Sequence, residues 1–262
     1  MEYENVILEK KESIATLTLN RPERLNAINE RMIEELESAM TRIYQDGDVR
    51  VFVITGAGRA FCSGADVGDM AKAAAGATMD IRHWTQKAHR IILGITDLEK
   101  PVVAKVNGVA VGIGCSLALS ADMIIASDTA QFSLIFSQIG LIPDGGSLFH
   151  LPRLVGLSKA KELIFTARRV DANEAERIGL INKAVSADKL DDEVDRLSRQ
   201  LAEGPTAAFG MAKKIMNKGL TMDLGSVLEC EASGQALAGT TEDAREGVMA
   251  FLEKRKPKFK GE

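Results

Sequence analysis

The chain has 262 residues, of which 45% are hydrophobic and 5% are aromatic, so aliphatic side chains must fill its core. A net charge of −4 argues against nucleic acid as the main partner, and no apolar run approaches membrane-spanning length. Cys62, Cys115 and Cys230 have no paired spacing, and the first residues lack the features of a signal peptide. We therefore expect a cytoplasmic protein without a disulfide framework.

The first part of the chain predicts strands and one amphipathic helix. Residues 6–9 and 14–19 are rich in β-formers and flank a short polar stretch, which is typical of a hairpin. Asn29 precedes apolar side chains at helical spacing over 32–43, so it is expected to cap a helix. Residues 51–55 are a continuous apolar run, of the kind that forms a strand buried on both faces.

The middle of the chain alternates small-residue segments with apolar strands. A helix is predicted from Asp80 onward, and the small residues 71–79 before it fit either a mobile lid or a plain surface helix. Strands are predicted at 102–106 and 123–126, and a helix is predicted to begin between them at Cys115. The repeated strand, turn and helix pattern predicts parallel strands with crossover connections.

The remainder of the chain is mainly helical. One more strand is predicted at 181–185. The predicted helices are 148–155, 159–166, a short one capped by Asp171, 187–203, 206–218, 224–238 and 241–255. Because strands concentrate before residue 186, we predict a core over 1–200 and a separate helical region over 201–262.

Two loops combine glycines with small side chains. In 56–66, Gly-x-Gly follows a strand, but Phe61 stands where a dinucleotide-binding fingerprint needs its third glycine. This disfavours an NAD-dependent dehydrogenase. In 107–115, Gly112 and Gly114 let backbone approach a ligand without interference from a Cβ. The helix expected to follow directs its first N–H groups at that ligand, which suits stabilisation of an oxyanion.

Histidine and cysteine are weaker candidates for chemistry than the carboxylates. His83, His89 and His150 lack a nucleophile motif and zinc-binding spacing, which favours surface or supporting positions. Cys115 has no histidine nearby in sequence, so we interpret it as a buried small residue rather than a reactive thiolate.

Four aspartates are candidates. Asp66 and Asp69 flank the first loop, Asp122 lies between a predicted helix and a predicted strand, and Asp144 lies in a further loop over 142–146. Asp66 and Asp122 can be explained as caps or turn formers. Asp144 lies in Pro-Asp-Gly-Gly, so a turn residue or helix N-cap is one interpretation of it. The other is a proton-transfer group, because apolar residues on both sides predict a partly dry site that raises its pKa.

Four segments resemble the crotonase superfamily, the enoyl-CoA hydratase/isomerase family, and the resemblance covers essentially the whole chain. The segments are 21–27, 61–66, 107–115 and 251–256. The resemblance implies an α/β fold, a spiral of ββα units with a C-terminal helical oligomerisation region that completes a homotrimer or a dimer of trimers. It also implies an acyl-CoA thioester as the partner. No metal and no separate cofactor is expected, because coenzyme A is part of the substrate.

The same resemblance assigns roles to residues. It gives the peptide N–H groups of Ala65 and Ile113 as the two donors of an oxyanion hole, with Asp144 as the acid. Many members have glycine at the Ile113 position, but a backbone donor does not depend on the side chain. The residues expected to contact the substrate or its coenzyme A portion are Arg24, Leu25, Ala27, Ser63, Gly64, Asp66, Gly112, Gly114, Phe251 and Lys254.

Departures from the family pattern indicate the reaction. Hydratases of the family use two glutamates, and the matching positions here are Ser116 and Phe136. Asp144 stands where several family isomerases carry their single acid, and 142–156 resembles the ring-opening isomerases of phenylacetyl-CoA breakdown. We therefore expect an acyl-CoA isomerase. The alternatives are a hydratase that uses Asp144 with an undetected partner, and a non-catalytic acyl-CoA or RNA-binding relative. The acyl group, linear or ring-derived, stays open.

Overall fold

The computed structural model describes residues 3–66, 68 and 81–262. The predicted cap Asp80, the predicted lid 71–79 and Asp69 lie outside these residues. The strands are β1 (Val6–Lys11), β2 (Ile14–Leu19), β3 (Val51–Gly56), β4 (Ala60–Cys62), β5 (Val102–Val106), β6 (Val109–Val111), β7 (Met123–Ser127), β8 (Gln131–Ser133), β9 (Val170–Asp171) and β10 (Lys183–Val185). The α-helices are α1 (Glu30–Gln45), α2 (Ile81–Asp97), α3 (Ile113–Leu119), α4 (Ser147–Val155), α5 (Leu157–Thr166), α6 (Ala172–Arg177), α7 (Leu190–Ala202), α8 (Thr206–Gly219), α9 (Leu224–Ala238) and α10 (Glu242–Leu252).

The larger sheet has the strand order β1-β2-β3-β5-β7-β10. β1 and β2 pair antiparallel as the predicted hairpin, and every later neighbour pair is parallel, as the crossover pattern predicted. β3 is buried on both faces, because Phe52 and Ile54 join the main core. Val51 and Val53 instead pack in a second cluster that includes Leu190 of α7.

A second sheet, with the order β4-β6-β8-β9, was not predicted from the sequence. β4, β6 and β8 have three residues each and run parallel. Strands this short have too few residues to show an alternation of polar and apolar side chains. They are recognised only from their hydrogen bonds to neighbouring strands in the structure. The two glycine-rich loops therefore leave neighbouring strands of one sheet.

Several helix boundaries follow from local chemistry. The side chain of Asn29 accepts the N–H of Met32 at 2.8 Å, which confirms it as the cap of α1. α3 begins at Ile113 and not at Cys115, because Gly112, with φ +55°, already accepts the N–H of Ser116. The last helix ends before residue 255, because Lys254 has φ +54°, outside the helical region.

Other predicted boundaries also need correction. The strand expected at 181–185 begins at Lys183, and the first turn of the helix expected at 187–203 is a 3-10 turn, Ala187–Lys189. α8, α9 and α10 occupy 206–252, so the helical nature of this part of the chain is confirmed. Its separation at residue 200 stays a prediction. None of the described helices is both long and apolar enough to cross a membrane.

Candidate active site

The two glycine-rich loops meet where β4 and β6 end. The strands are parallel neighbours, so their carboxyl ends lie at the same edge of the sheet. A Cβ added to Gly112 would lie 3.9 Å from the Cα of Gly64, and one added to Gly64 would lie 3.2 Å from the carbonyl oxygen of Val111. Both glycines have a positive φ, +109° at Gly64 and +55° at Gly112. Glycine permits this conformation and this close approach together.

Each loop presents one peptide N–H that makes no hydrogen bond within the described part of the chain. Ile28 donates to the carbonyl of Gly64 at 2.8 Å and accepts from Asp66 at 2.9 Å, so the N–H of Ala65 between them faces away from Ile28. Ile113 is the first residue of α3, where a helix leaves N–H groups unpaired. Among the described residues, neither N–H has a hydrogen-bond acceptor. These are the two N–H groups that the family resemblance in the sequence predicts as donors of an oxyanion hole.

Asp144 forms a turn with its backbone and leaves one carboxyl oxygen, Oδ1, without a partner among the described residues. Its carbonyl accepts the Oγ–H and the N–H of Ser147, at 2.8 and 3.1 Å. The N-cap of α4 is Gly146, so the interpretation of Asp144 as an N-cap is wrong. Its Oδ1 is buried and has no hydrogen-bond partner among the described residues. Burial raises the pKa of Asp144 to about 6, against a smaller lowering by its own peptide N–H.

Contacts at Gly145 bring Asp144 close to the second loop. A Cβ on Gly145 would lie 2.7 Å from the Cβ of Ser116 and 3.3 Å from Cγ1 of Ile113. The ring of Phe136 packs against the same loop. Its Cζ lies 4.0 Å from the position that a Cβ on Gly112 would take. Ser116 and Phe136, which the resemblance places at the positions of the hydratase glutamates, therefore line this region and carry no carboxyl group.

The other two described candidate acids have partners. Asp66 accepts from Arg21 Nη1 at 2.8 Å and from the N–H of Gly68 at 2.9 Å. Partial burial works to raise the pKa of Asp66, but Arg21 and these hydrogen bonds outweigh it and lower the pKa. Asp122 accepts from Lys213 at 2.9 Å and from the N–H of Val102 at 2.8 Å. Burial raises the pKa of Asp122 although Lys213 opposes the shift. Both carboxylates are held in structural contacts.

The segment before α1, expected to contact coenzyme A, is attached to the first loop. Ser63 donates its N–H to the carbonyl of Leu25 at 2.9 Å, and its hydroxyl bonds the carbonyl of Arg24 at 3.4 Å. Ala27 follows, and its carbonyl accepts from Arg21 at 2.6 Å. The structure thus brings together the expected contact residues of both segments.

Asn26 holds this segment in shape, a role that sequence reasoning missed. Leu25 and Asn26 both have a positive φ, +51° and +57°. The fully buried amide of Asn26 donates to the carbonyls of Ala57 and Ala60, at 2.9 and 2.7 Å, and accepts the N–H of Arg21 at 2.9 Å. These bonds stabilise a conformation that is unfavourable for residues with a Cβ. The residue type was the available signal, since asparagine tolerates this region.

Phe251 and Lys254 lie at the C-terminal end of α10. Phe251 is 83% exposed, and Lys254 is exposed beside it. Among the described residues, neither side chain has a hydrogen bond to the loop residues. Their contact with coenzyme A stays a prediction.

The two backbone N–H groups can hold a developing oxyanion. The buried carboxyl group near them can transfer one proton. The chemistry is that of enzymes that form an enolate from a thioester.

Comparison with known proteins agrees with this class of site. A model of the family "Enoyl-CoA hydratase/isomerase" matches residues 9–262. The chain is 38% identical to 1,2-epoxyphenylacetyl-CoA isomerase of Escherichia coli K12 over 262 residues, covering 100% of this chain and 99% of that protein. It is 39% identical to crotonyl-CoA hydratase of Syntrophomonas wolfei over 260 residues, covering 99% of both.

Solved structures agree on the fold. The crystal structure of an enoyl-CoA hydratase from Bacillus anthracis matches with a TM-score of 0.92 at 32% identity, covering 99% of this chain and 100% of that one. The chain belongs to the enoyl-CoA hydratase/isomerase family, the crotonase superfamily, and has its α/β fold. The resemblance seen in the sequence is confirmed. Relatives are named both isomerase and hydratase, so membership alone leaves the reaction open.

Proposed function

We propose that the protein isomerises an acyl-CoA thioester, moving a double bond or opening a ring through an enolate, with Asp144 as the single acid/base. The observation that carries the proposal is the buried Oδ1 of Asp144, which lacks a partner among the described residues. The two other positions that the resemblance offers for an acid, Ser116 and Phe136, pack near this turn and the second loop and carry no carboxyl group.

A 1,3 shift of a double bond needs one group that removes a proton and returns it. In a 3-enoyl-CoA, the Asp144 carboxylate takes a proton from the α-carbon, and the electron pair of that C–H bond moves to form an enolate. The N–H groups of Ala65 and Ile113 donate to the thioester oxygen as its charge develops. The electron pair then shifts along the chain, and the Asp144 carboxyl returns its proton to the γ-carbon.

The surroundings of Asp144 suit this cycle. Its pKa of about 6 leaves it ionised at neutral pH yet basic enough to take a proton from an activated carbon. Each N–H donor of an oxyanion hole typically stabilises the transition state by about 3 kcal/mol. Because the peptide donors supply the electrophile, we propose that the protein needs no metal and no redox cofactor, and that EDTA leaves its turnover unchanged.

Water addition to a 2-enoyl-CoA is the second candidate, and the name of the relative from Syntrophomonas wolfei favours it. Hydration requires a second polar group to position the water. The hydroxyl of Ser116 bonds the carbonyl of Gly112 at 3.3 Å, and Phe136 offers no polar atom. These contacts favour isomerisation over hydration.

A comparison of two reactions on one preparation tests the proposal. The substrates are a linear 3-enoyl-CoA, crotonyl-CoA and a ring-derived CoA thioester, with products separated by chromatography. We expect isomerisation of the 3-enoyl or ring-derived substrate and little water addition to crotonyl-CoA. Water addition that is faster than every isomerisation would establish the hydratase instead.

A further inference from the structure

We propose that His89 of α2 is a positioning residue for Asp144, acting through the peptide that links Asp144 to Gly145. The proposal rests on the proposed function, because it assumes that Asp144 transfers the proton. The N–H of Gly145 donates to Nε2 of His89 at 3.4 Å. This bond crosses from the catalytic turn to a helix 56 residues earlier in the chain.

The turn is clamped between two helices. On one side, Gly145 lies so close to α3 that an added Cβ would come within 2.7 Å of Ser116. On the other side, His89 of α2 accepts its N–H. Ile92, three residues after His89 and thus on the same helical face, has its Cγ2 3.3 Å from the position of a Cβ on Gly146. One face of α2 therefore supports both glycines that follow Asp144.

The hydrogen bond sets a requirement on the ring. An imidazole nitrogen accepts through a free lone pair, so this contact requires Nε2 of His89 to be the acceptor nitrogen. Gly145 is buried, and its N–H would have no acceptor if the ring were absent. Without that bond, the peptide between Asp144 and Gly145 could rotate within the turn, and the Asp144 carboxyl group would move with it.

Two substitutions separate the acceptor from the bulk of the ring. His89→Leu keeps much of the volume and removes the acceptor, whereas the side-chain oxygen of His89→Gln reaches about as far as Nε2. Misplacing a catalytic group by about 1 Å can cost about 100-fold, so we expect kcat for a 3-enoyl-CoA to fall about 10- to 100-fold in His89→Leu. KM should change little, because the substrate-binding contacts remain. His89→Gln should recover most of the lost turnover.

A double-mutant cycle shows whether the effect passes through Asp144. In an Asp144→Asn background, His89→Leu should cause no further loss, because there is no base left to position. An equal fold-loss in both backgrounds, or a His89→Leu enzyme within twofold of wild type, would overturn the positioning role while the proposed function stands. An Asp144→Asn enzyme with normal turnover would overturn both.

Folding is checked by the thermal unfolding midpoint of each variant. If His89→Leu does not fold, His89→Asn takes its place, since its amide is polar but too short to reach Gly145. The predicted order of kcat is then wild type, His89→Gln and His89→Asn. Equal turnover in the Gln and Asn variants would contradict the proposal.

Discussion

Asp144 and Asp66 are carboxyl groups near the same pair of loops, and their surroundings shift the two pKa values in opposite directions. Asp144 is half-buried, has an unpartnered oxygen among the described residues, and has a pKa of about 6. Asp66 has a lowered pKa, because Arg21 and the N–H of Gly68 outweigh its partial burial. One group can exchange a proton near neutral pH, and the other stays ionised to hold Arg21.

The pH dependence of turnover follows from the direction of the Asp144 shift. The base must be ionised, so kcat/KM should be low well below pH 6, rise through about pH 6 and level off above it. Measuring kcat/KM for a 3-enoyl-CoA from pH 5 to 8 in buffers of constant ionic strength checks this. A profile that stays flat down to pH 5, with the enzyme still folded, would contradict the assignment.

The proposed oxyanion hole is built from backbone groups and not from side chains. β4 and β6 end side by side. Among the described residues the N–H groups of Ala65 and Ile113 have no acceptor, because Ile28 bonds the residues on either side of Ala65 and Ile113 begins α3. Glycines at 64 and 112 allow that approach.

Substitution of Ala65 tests the donor directly. Proline removes the N–H, whereas serine keeps it with a similar small side chain. We expect Ala65→Pro to lose about 100-fold or more in kcat, and Ala65→Ser to remain close to wild type. Circular dichroism first establishes that the proline variant is folded. A folded proline variant with near-normal turnover would mean that the hole lies elsewhere.

The Asp144 turn can be tested with a matched pair of glycines. Gly145 and Gly140 both have a left-handed φ, +58° and +71°, so alanine costs about 1–2 kcal/mol of backbone strain at either. An alanine Cβ would meet Ser116 at 2.7 Å at position 145 but nothing within 4 Å at position 140. We expect Gly145→Ala to lower kcat much more than Gly140→Ala. Equal losses in the two variants would mean that close packing against Ser116 does not position the turn.

Sequence patterns predicted the long elements and missed the short strands of the second sheet. β3 and β5 were found because each is a continuous apolar run, and α1 was found from its cap and its spacing. β4 and β6 were missed because a three-residue strand is defined by its neighbour and not by its own residues.

The candidate site was predictable in part. Asp144 was found from its place in a turn between apolar residues and from the family resemblance. The sequence alone could not tell that its carbonyl makes the turn while Oδ1 of its carboxyl group has no partner among the described residues. Contacts across the fold, such as His89 with Gly145, leave no local signal in the sequence.

At the scale of the molecule, the C-terminal helices leave apolar surface uncovered. α9 has no buried residue, and Leu224, Leu228 and Leu237 are each more than half exposed. A helix with several exposed leucines is typical of a surface that is covered by another protein chain. We propose that these helices complete a homotrimer or a dimer of trimers.

Light scattering coupled to gel filtration tests the assembly. We expect a mass of three or six chains of 28.3 kDa. Leu228→Lys should dissociate the assembly, because it places a charge in the covered surface. Leu93→Lys on α2, where the leucine is exposed to a similar extent, should leave the mass unchanged. A wild-type monomer at micromolar concentration would contradict the proposal.

The central claim is that Asp144 alone moves the substrate proton. Asp144→Asn keeps the size of the side chain and the backbone turn but cannot take a proton. The decisive measurement is exchange of the α-proton of a 3-enoyl-CoA with deuterated solvent, followed together with isomerisation and substrate binding. We predict that exchange and isomerisation both fall by about 100- to 10,000-fold, while binding and folding survive. Exchange and isomerisation within a few-fold of wild type would contradict the account.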